Sequence, residues 1–208
     1  MAGADAVRGI CAVNKPTTSA EFFDQKYREN PDPWDFARSE YEQSRYGAII
    51  AALGEHQYRR AFEPGCSVGE LTSRLAGRCE HVDAMDISAI AIDRAKHRCR
   101  ELSNVAFHIG GLPHQIPDGE FDLIVFAEIG YYFEEASLQD LGHLLVRRMR
   151  TPGTLLASHW LGTSKDHVLS GDRVHEILAG LPGLRLDHSE RHVGFRLDRW
   201  VRDGWVRG

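Results

Sequence analysis

The apolar positions of this chain follow two periods, one typical of helices and one typical of buried strands. Apolar residues spaced three or four apart predict helices, and they occur over residues 70–75, 137–150 and 172–179. Short continuous apolar runs predict strands inside a sheet, and they occur over residues 60–62, 81–86, 104–109, 121–127 and 154–159. Thr151-Pro152-Gly153 predicts a turn before the last of these strands. Because strands alternate with helices, the pattern predicts an α/β fold with a mostly parallel sheet.

The two ends of the chain depart from this alternation. Residues 1–18 lack apolar periodicity and predict a flexible N-terminal arm. Two helices follow, a short one that begins at Ser19 and a second over 40–53, with a proline-rich break between them. At the other end, residues 183–191 and 194–202 predict a terminal hairpin, which adds one antiparallel strand to the sheet. We therefore expect a single domain over residues 19–208.

Composition excludes several classes of function. Hydrophobic residues make up 42% of the 208 residues, and no apolar run approaches the roughly 18 residues that a membrane span requires. The net charge is -5 without a dense block of Lys and Arg, which argues against a nucleic-acid partner. The four cysteines have neither C-x-x-C spacing nor a secretory segment before them, so we expect a reducing, cytoplasmic location. No histidine pair at helical spacing flanks an acid, and we expect no metal.

The segment 63–69, Glu-Pro-Gly-Cys-Ser-Val-Gly, joins a predicted strand to a predicted helix. Such a turn directs backbone N–H groups and the positive end of a helix dipole toward a crevice at the sheet edge. Asp86 ends the next strand, about twenty residues on, where nucleotide-binding folds place an acid that binds ribose hydroxyls. The segment therefore predicts a cofactor site. The alternative is a plain turn, with Asp86 satisfying local amides at a helix start.

The same segment discriminates between cofactors. A nicotinamide site usually has a second and a third glycine, whereas Ser67 stands at the second position and the third glycine is absent. Glu63 favours a ligand that carries a cationic amino group, because a carboxylate repels pyrophosphate. S-adenosylmethionine has such an amine, a ribose for Asp86 and an adenine for the Gly110-Gly111-Leu112 turn. A nicotinamide-dependent oxidoreductase is the disfavoured alternative.

Several motifs together resemble one family of enzymes. These motifs are Asp32-Pro33-Trp34, Glu42-Gln43 with Arg45-Tyr46, the segment 63–69, the segment 122–128 and Tyr131-Tyr132. In them the chain resembles the class I S-adenosylmethionine-dependent methyltransferases, and more closely the nodulation protein S (NodS) family of N-methyltransferases. The resemblance implies a Rossmann-like sheet of seven strands with helices on both faces. It also implies a helical lid over residues 19–56, in front of an α/β core over residues 57–208.

The resemblance implies a reaction and a set of cofactor-binding residues. The reaction is methylation of the free amine of a de-N-acetylated amino sugar or chitooligosaccharide, with S-adenosyl-L-homocysteine as the product. Another small-molecule amine or a hydroxyl acceptor, and a non-catalytic S-adenosylmethionine-binding module, are the alternatives. We expect a monomer or weak homodimer. The predicted cofactor-binding residues are Trp34, Arg45, Glu63, Gly65, Cys66, Gly69, Asp86, Ile87, Gly111, Leu112 and Glu128.

An acceptor site is predicted at the carboxyl ends of the fourth and fifth strands, where open α/β sheets bind ligands. An amine must lose a proton before its lone pair attacks a methyl group, so a carboxylate, imidazole or phenol is useful there. The predicted catalytic residues are Glu128, Tyr132 and His159, and the predicted substrate-binding residues are Tyr131, Tyr132, Trp160 and His167. The alternative is that the aromatic residues only pack the loops and that Glu128 is a helix N-terminal acid.

Overall fold

A computed structural model describes residues 19–36 and 38–203. The predicted N-terminal arm, residues 1–18, lies outside the described residues. The helices are α1 (Ala20–Glu29), α2 (Glu40–Ala52), α3 (Glu70–Leu75), α4 (Ala89–Arg98), α5 (Glu135–Arg148) and α6 (Gly171–Ala179). The strands are β1 (Tyr58–Pro64), β2 (Cys79–Asp86), β3 (Val105–Ile109), β4 (Phe121–Ala127), β5 (Met149–Trp160), β6 (Arg185–Arg191) and β7 (Phe195–Arg202).

The strands form one sheet of seven in the order β3-β2-β1-β4-β5-β7-β6. The first five strands are parallel, and β7 runs antiparallel to both of its neighbours, β5 and β6. The predicted seven-stranded, mostly parallel sheet with one antiparallel strand is therefore confirmed. The chain leaves β1 on one side toward β2 and returns on the other side with β4. This reversal opens a crevice at the carboxyl ends of β1 and β4, which is the usual ligand position in open α/β sheets.

Helices cover both faces of the sheet because its central strands are apolar on both faces. In β4, Leu123 and Val125 belong to the core under α2, α3 and α4, whereas Ile124 and Phe126 belong to the core under α5 and α6. All four side chains are fully buried. A strand buried on both faces appears in sequence as a continuous apolar run, which explains why β4 was predictable.

The two N-terminal helices occupy different places. Helix α1 lies across α4 and buries Tyr27 against Val68 and Ala91. Helix α2 packs Tyr46 and Ile49 into the core on one face of the sheet. Helix α1 and the beginning of α2 therefore reach the carboxyl edge of the sheet, whereas the rest of α2 belongs to the helical layer. No helix in the described part of the chain is long and apolar enough to cross a membrane.

The turn predicted at Thr151-Pro152-Gly153 is wrong, because these residues belong to β5. Met149 pairs with Phe121 and Thr154 pairs with Leu123, so extra residues of β5 form a bulge opposite β4. On the other side Gly153 pairs with Arg202 of β7, which keeps the segment within the sheet. Helix α5 accordingly ends at Arg148 rather than at residue 150.

Candidate active site

A cleft of about 540 Å³ lies at the carboxyl ends of the parallel strands. It extends from Leu112, which follows β3, past Asp86 and Glu128 to Trp160 at the end of β5. Helix α1 contributes Phe23 and Tyr27, and the loop after β5 contributes further residues up to His167. Its volume lies within the range of small-molecule sites. The predicted cofactor and acceptor residues that line it are Trp34, Gly65, Asp86, Ile87, Gly111, Leu112, Glu128, Tyr131, Tyr132, Trp160 and His167.

The turn after β1 has a constrained backbone. Gly65 has a φ of +78°, and a Cβ atom there would lie 2.4 Å from a methyl carbon of Ile129. Glycine is therefore required both for the left-handed conformation and for the close approach to the loop after β4. Ser67 also adopts a positive φ, and its hydroxyl lies 2.5 Å from that of Tyr27 in α1. The turn thus connects β1, the loop after β4 and α1.

The backbone N–H groups of this turn are engaged within the protein. The N–H groups of Gly65 and Cys66 donate to the carbonyl of Met85, at 2.7 and 3.0 Å. The N–H of Ser67 donates to the Asp86 carboxylate, and that of Gly69 donates to the Cys66 carbonyl. For these four residues the expectation that N–H groups point into the crevice is wrong, because β2 and the turn itself supply acceptors.

The Asp86 carboxylate lies at the end of β2 and lines the cleft. Its two oxygens accept hydrogen bonds from the N–H groups of Ser67 and Ser88, each at 2.9 Å. Burial raises the pKa of Asp86 to about 6 against the effect of these hydrogen bonds, and Asp24 raises it further. Each carboxylate oxygen has a second lone pair. Asp86 therefore satisfies local amides and still lines the cleft with a carboxylate that can accept a hydrogen bond from a ligand hydroxyl.

Three predicted cofactor residues in or beside the turn lie outside the lining of the cleft: Glu63, Cys66 and Gly69. The Glu63 carboxyl is buried and accepts a hydrogen bond from the Thr72 hydroxyl of α3 at 2.6 Å. Burial raises its pKa to about 8. The Cys66 thiol is buried as well, and its burial raises its pKa well above the ordinary value. Gly69 is the N-cap residue of α3. The structure therefore does not bring these three residues to the cleft.

Glu128 has a positive φ of 59° at the end of β4. Its Oε1 accepts a hydrogen bond from the N–H of Trp160 at 2.8 Å, and its Oε2 accepts one from the Tyr131 hydroxyl at 2.7 Å. Arg45 of α2 forms ion pairs with both Glu128 and Glu42. The Arg45 side chain is 1% exposed and does not line the cleft, so it holds the two carboxylates from behind the cleft wall. A left-handed residue without glycine's freedom stores strain, which proteins often place at functional sites.

Aromatic rings form the walls at the β4 and β5 end of the cleft. The imidazole of His167 stacks on the Tyr131 ring, with 3.6 Å between the ring centroids. The Tyr132 ring meets Phe23 of α1 edge to face at 5.5 Å. Lys26 of α1 and Asp166 in the loop after β5 form a salt bridge of 3.2 Å. These contacts join α1 to the opposite wall.

His159 does not line the cleft, although it was predicted to act as a base there. Its ring is fully buried, and its Nε2 accepts the backbone N–H of Gly130 at 3.1 Å. Its Nδ1 lies 3.2 Å from Nε2 of His175, whose Nδ1 lies 2.7 Å from Oδ2 of Asp198. Burial and then the neighbouring His175 lower the pKa of His159 well below its ordinary value. The prediction of a catalytic base at His159 is therefore wrong, because its basic nitrogen is already occupied.

Three residues that matter in this region were not among the predicted site residues: Glu42, which was part of a family motif only, His175 and Asp198. Glu42 lines the cleft, and its spacing of three from Arg45 was a signal for an ion pair on one helix face. His175 and Asp198 lie far from His159 in sequence and meet it only through tertiary packing. In the part of the chain that the structure describes, no cluster of His, Cys, Asp and Glu is arranged to hold a metal ion.

A sequence profile of the nodulation protein S (NodS) family matches residues 19–170. Nodulation protein S of Sinorhizobium fredii strain NGR234 is 30% identical over 155 residues, which are 73% of this chain and 71% of that protein. The match spans α1, β1 to β5 and the loop that carries His167, and so includes every element that contributes to the cleft.

Two crystal structures have the same fold. A proposed methyltransferase from Pseudomonas syringae is 36% identical, with a TM-score of 0.69 over 79% of this chain and 100% of that chain. The N-methyltransferase NodS from Bradyrhizobium japonicum WM9, solved with S-adenosyl-L-homocysteine, is 21% identical. Its TM-score is 0.77, over 88% of this chain and 98% of that chain. The likeness to this NodS structure establishes that the two proteins share a fold.

Proposed function

Because the chain belongs to the nodulation protein S family and is an S-adenosylmethionine-dependent methyltransferase, we propose that it methylates a primary amine. The acceptor we propose is the free amine of a de-N-acetylated amino sugar, as in a chitooligosaccharide. The observation that carries the amine is the charge at the β4 and β5 end of the cleft. There Glu42 and Glu128 both line the cleft and share a single cation, Arg45.

The residues of the cleft fit S-adenosylmethionine. Asp86 offers buried acceptors for the ribose hydroxyls. Gly111 and Leu112 line the cleft beyond Ile87, and this apolar part of the wall suits the adenine. When bound, the cofactor supplies an electrophilic methyl group on a sulfonium. Among the other predicted cofactor residues, Trp34 lines the cleft and stacks on Phe36, with 5.5 Å between the ring centroids.

The acceptor end suits a cationic sugar. Two carboxylates and one guanidinium leave a net negative charge in a partly buried wall, and this charge attracts an ammonium group. Tyr131, Tyr132, Trp160 and His167 surround it with aromatic faces, which bind both cations and the apolar faces of sugar rings. The protein then contributes mainly proximity, alignment and exclusion of water to the transfer.

The test is methyl transfer from labelled S-adenosylmethionine to a panel of acceptors, read by mass spectrometry. The panel contains chitooligosaccharides with and without the terminal N-acetyl group, simple alkylamines and sugars that have only hydroxyl groups. Label on the free-amine oligosaccharide alone would support the proposal in full. Label on alkylamines but not on sugars would support an amine as the methylated group and overturn the proposal that the acceptor is a sugar. Label on hydroxyl acceptors, or cofactor binding without any transfer, would overturn the amine.

A further inference from the structure

We propose that Glu42 is the group that binds the ammonium of the acceptor and accepts its proton. This inference rests on the proposed function, because it assigns a residue to the amine acceptor. Glu42 stands in the first turn of α2, behind the N-cap Ser39, whose hydroxyl accepts the N–H of Glu42. The rest of α2 packs on the sheet, so this turn is held at the rim of the cleft by a rigid element.

One oxygen of Glu42 is available. Both Nε and Nη2 of Arg45 donate to Oε2 of Glu42. Among the described residues, Oε1 of Glu42 has no hydrogen-bond partner. The residue is only 8% exposed, yet it lines the cleft. Oε1 of Glu42 is not among the buried side-chain atoms of the described residues that lack a partner, so it is open to the cleft, and a cationic donor there would form a charge-assisted hydrogen bond with it.

Glu128, the other carboxylate of this wall, is less suited to the role. Its Oε1 accepts the Trp160 N–H and faces Arg45, and its Oε2 accepts the Tyr131 hydroxyl. Accepting a proton at either oxygen would disturb a hydrogen bond that holds the cleft wall together. Glu128 therefore contributes charge and position, and Glu42 contributes the free acceptor.

With Glu42 as the base, methyl transfer moves one proton, forms one N–C bond and breaks one C–S bond. Oε1 of Glu42 takes one proton from the acceptor's R-NH3+ group, and the nitrogen gains a lone pair. That lone pair forms the new N–C bond with the methyl carbon while the C–S bond breaks, and its electron pair remains on sulfur. The product is the methylated ammonium together with S-adenosyl-L-homocysteine, and Glu42 returns its proton to water.

The surroundings of Glu42 favour proton acceptance. Burial raises the pKa of Glu42, Arg45 lowers it, and the carboxylates of Glu128 and Asp32 raise it again, with a net upward shift. The phenols of Tyr41 and Tyr46 also face this group. A carboxylate of raised pKa accepts a proton from an ammonium more readily.

The test compares Glu42→Gln with Glu40→Gln, an exposed glutamate two residues earlier in the same helical turn. The acceptor is the amine to which the wild-type protein transfers label in the panel described above, and kcat/KM is measured from pH 6 to pH 9.5. Below the pKa of the acceptor ammonium we expect kcat/KM of Glu42→Gln to fall roughly 100-fold or more, because a positioned base contributes 10²–10⁴ in rate. The difference in kcat/KM between Glu42→Gln and the wild-type protein should shrink as the pH rises, because solvent then removes the proton instead. Glu40→Gln should match the wild-type protein.

Calorimetry with S-adenosyl-L-homocysteine provides a second measurement for the same variants. Unchanged affinity in Glu42→Gln would show an intact fold and cofactor site, and Glu42→Asp should regain part of the activity at low pH. A deficit that is the same at every pH, or wild-type activity in Glu42→Gln, would overturn the role of Glu42 and leave the amine acceptor in place. A wild-type protein that methylates no amine would overturn both proposals.

Discussion

Glu63 is a buried carboxyl group that accepts a hydrogen bond from the hydroxyl of Thr72. Its pKa is about 8 in the folded protein, against an ordinary value of 4.5. Between these values the folded protein keeps a proton that the unfolded chain has lost, so the free energy of unfolding should fall as pH rises toward 8. The slope from this residue is at most about 1.4 kcal/mol per pH unit.

We expect Glu63→Gln to remove this slope, because its amide is neutral at every pH. Urea unfolding of the ligand-free protein at several pH values between 5.5 and 8.5 would measure it. Glu80→Gln, at an exposed position on β2, is the matched control and should keep the wild-type slope. Equal slopes in all three proteins would show that the Glu63 carboxyl is ionised in the fold.

Asp86 is the residue on which the predicted ribose contact depends. At pH 8, well above its pKa of about 6, the carboxylate is ionised and accepts hydroxyl donors best. Losing a hydrogen bond to a charged group costs about 1.5–3 kcal/mol, so Asp86→Asn should weaken binding of S-adenosyl-L-homocysteine roughly 10- to 100-fold. Calorimetry measures this effect, with Glu80→Gln as the control and thermal unfolding as a check of the fold.

The same residue predicts a pH dependence of cofactor binding. As pH falls through about 6, Asp86 gains a proton, and wild-type affinity should decrease while that of Asp86→Asn stays flatter. The other ionisable groups that face Asp86 are Asp24, Tyr27, Glu63, Cys66 and Tyr132. Unaltered affinity in Asp86→Asn at pH 8 would count against the ribose contact.

At the scale of elements, the buried series His159, His175 and Asp198 joins three parts of the fold. It begins at the N–H of Gly130 in the short 3-10 helix after β4 and passes from β5 through α6 to β7. Asp198 also accepts a hydrogen bond from the Ser189 hydroxyl and forms an ion pair with Arg196. The loop that carries Glu128 and Tyr132 is thereby held by the C-terminal strands.

We expect Asp198→Asn to lower the free energy of unfolding by about 1–3 kcal/mol, because it leaves buried donors with a poorer partner. It should also raise KM for the acceptor more than it weakens binding of S-adenosyl-L-homocysteine, since the Gly130 loop forms the acceptor end. Urea unfolding, the KM for the acceptor and calorimetry with S-adenosyl-L-homocysteine test this, with Asp140→Asn, at an exposed position of α5, as the control. A loss of stability without any change in the acceptor KM would leave the series with a purely structural role.

The elements themselves were largely predictable, for a physical reason. Burial on one or both faces imposes a period that survives in the sequence, as the run Leu123 to Phe126 illustrates. The bulge at Thr151-Pro152-Gly153 was not predictable, because the local residues favour a turn and only pairing with β7 keeps them in the sheet. The packing of α2 on the sheet likewise depends on tertiary contacts.

Site residues were predictable where the end of a strand places them at the cleft. They were not predictable where their role depends on the direction of the side chain. Asp86 and Trp160 end strands at the same edge, and both line the cleft. His159 also ends a strand, but it shares a face with Ala157, which is buried under α5 and α6. The period of two in a strand was therefore a signal that His159 points into the core. The engagement of Glu128 with Arg45 could not be predicted from the sequence.

For the whole molecule, the covering of the cleft determines how ligands enter. Phe23 and Tyr27 of α1 line one wall, and the salt bridge between Lys26 and Asp166 joins α1 to the opposite wall. We therefore expect a cofactor bound beneath α1 to leave by displacement of this helix, which contacts its surroundings through single side chains such as Phe23, Tyr27 and Lys26. Helix α1 should open more readily than the sheet.

Hydrogen exchange with and without S-adenosyl-L-homocysteine tests this covering. We expect the amides of α1 and of residues 161–170 to slow the most, because the ligand fills the space against which they close. Helix α5, which packs on the sheet away from the cleft, should slow only as far as the whole protein is stabilised. In Phe23→Ala the ligand should bind several-fold more weakly and protect α1 less, since the contact with Tyr132 is lost. Gln25→Ala, at an exposed position of the same helix, should behave as the wild-type protein does. Equal protection of α1 and α5, or equal effects of the two substitutions, would mean that α1 is a fixed wall and that ligands enter elsewhere.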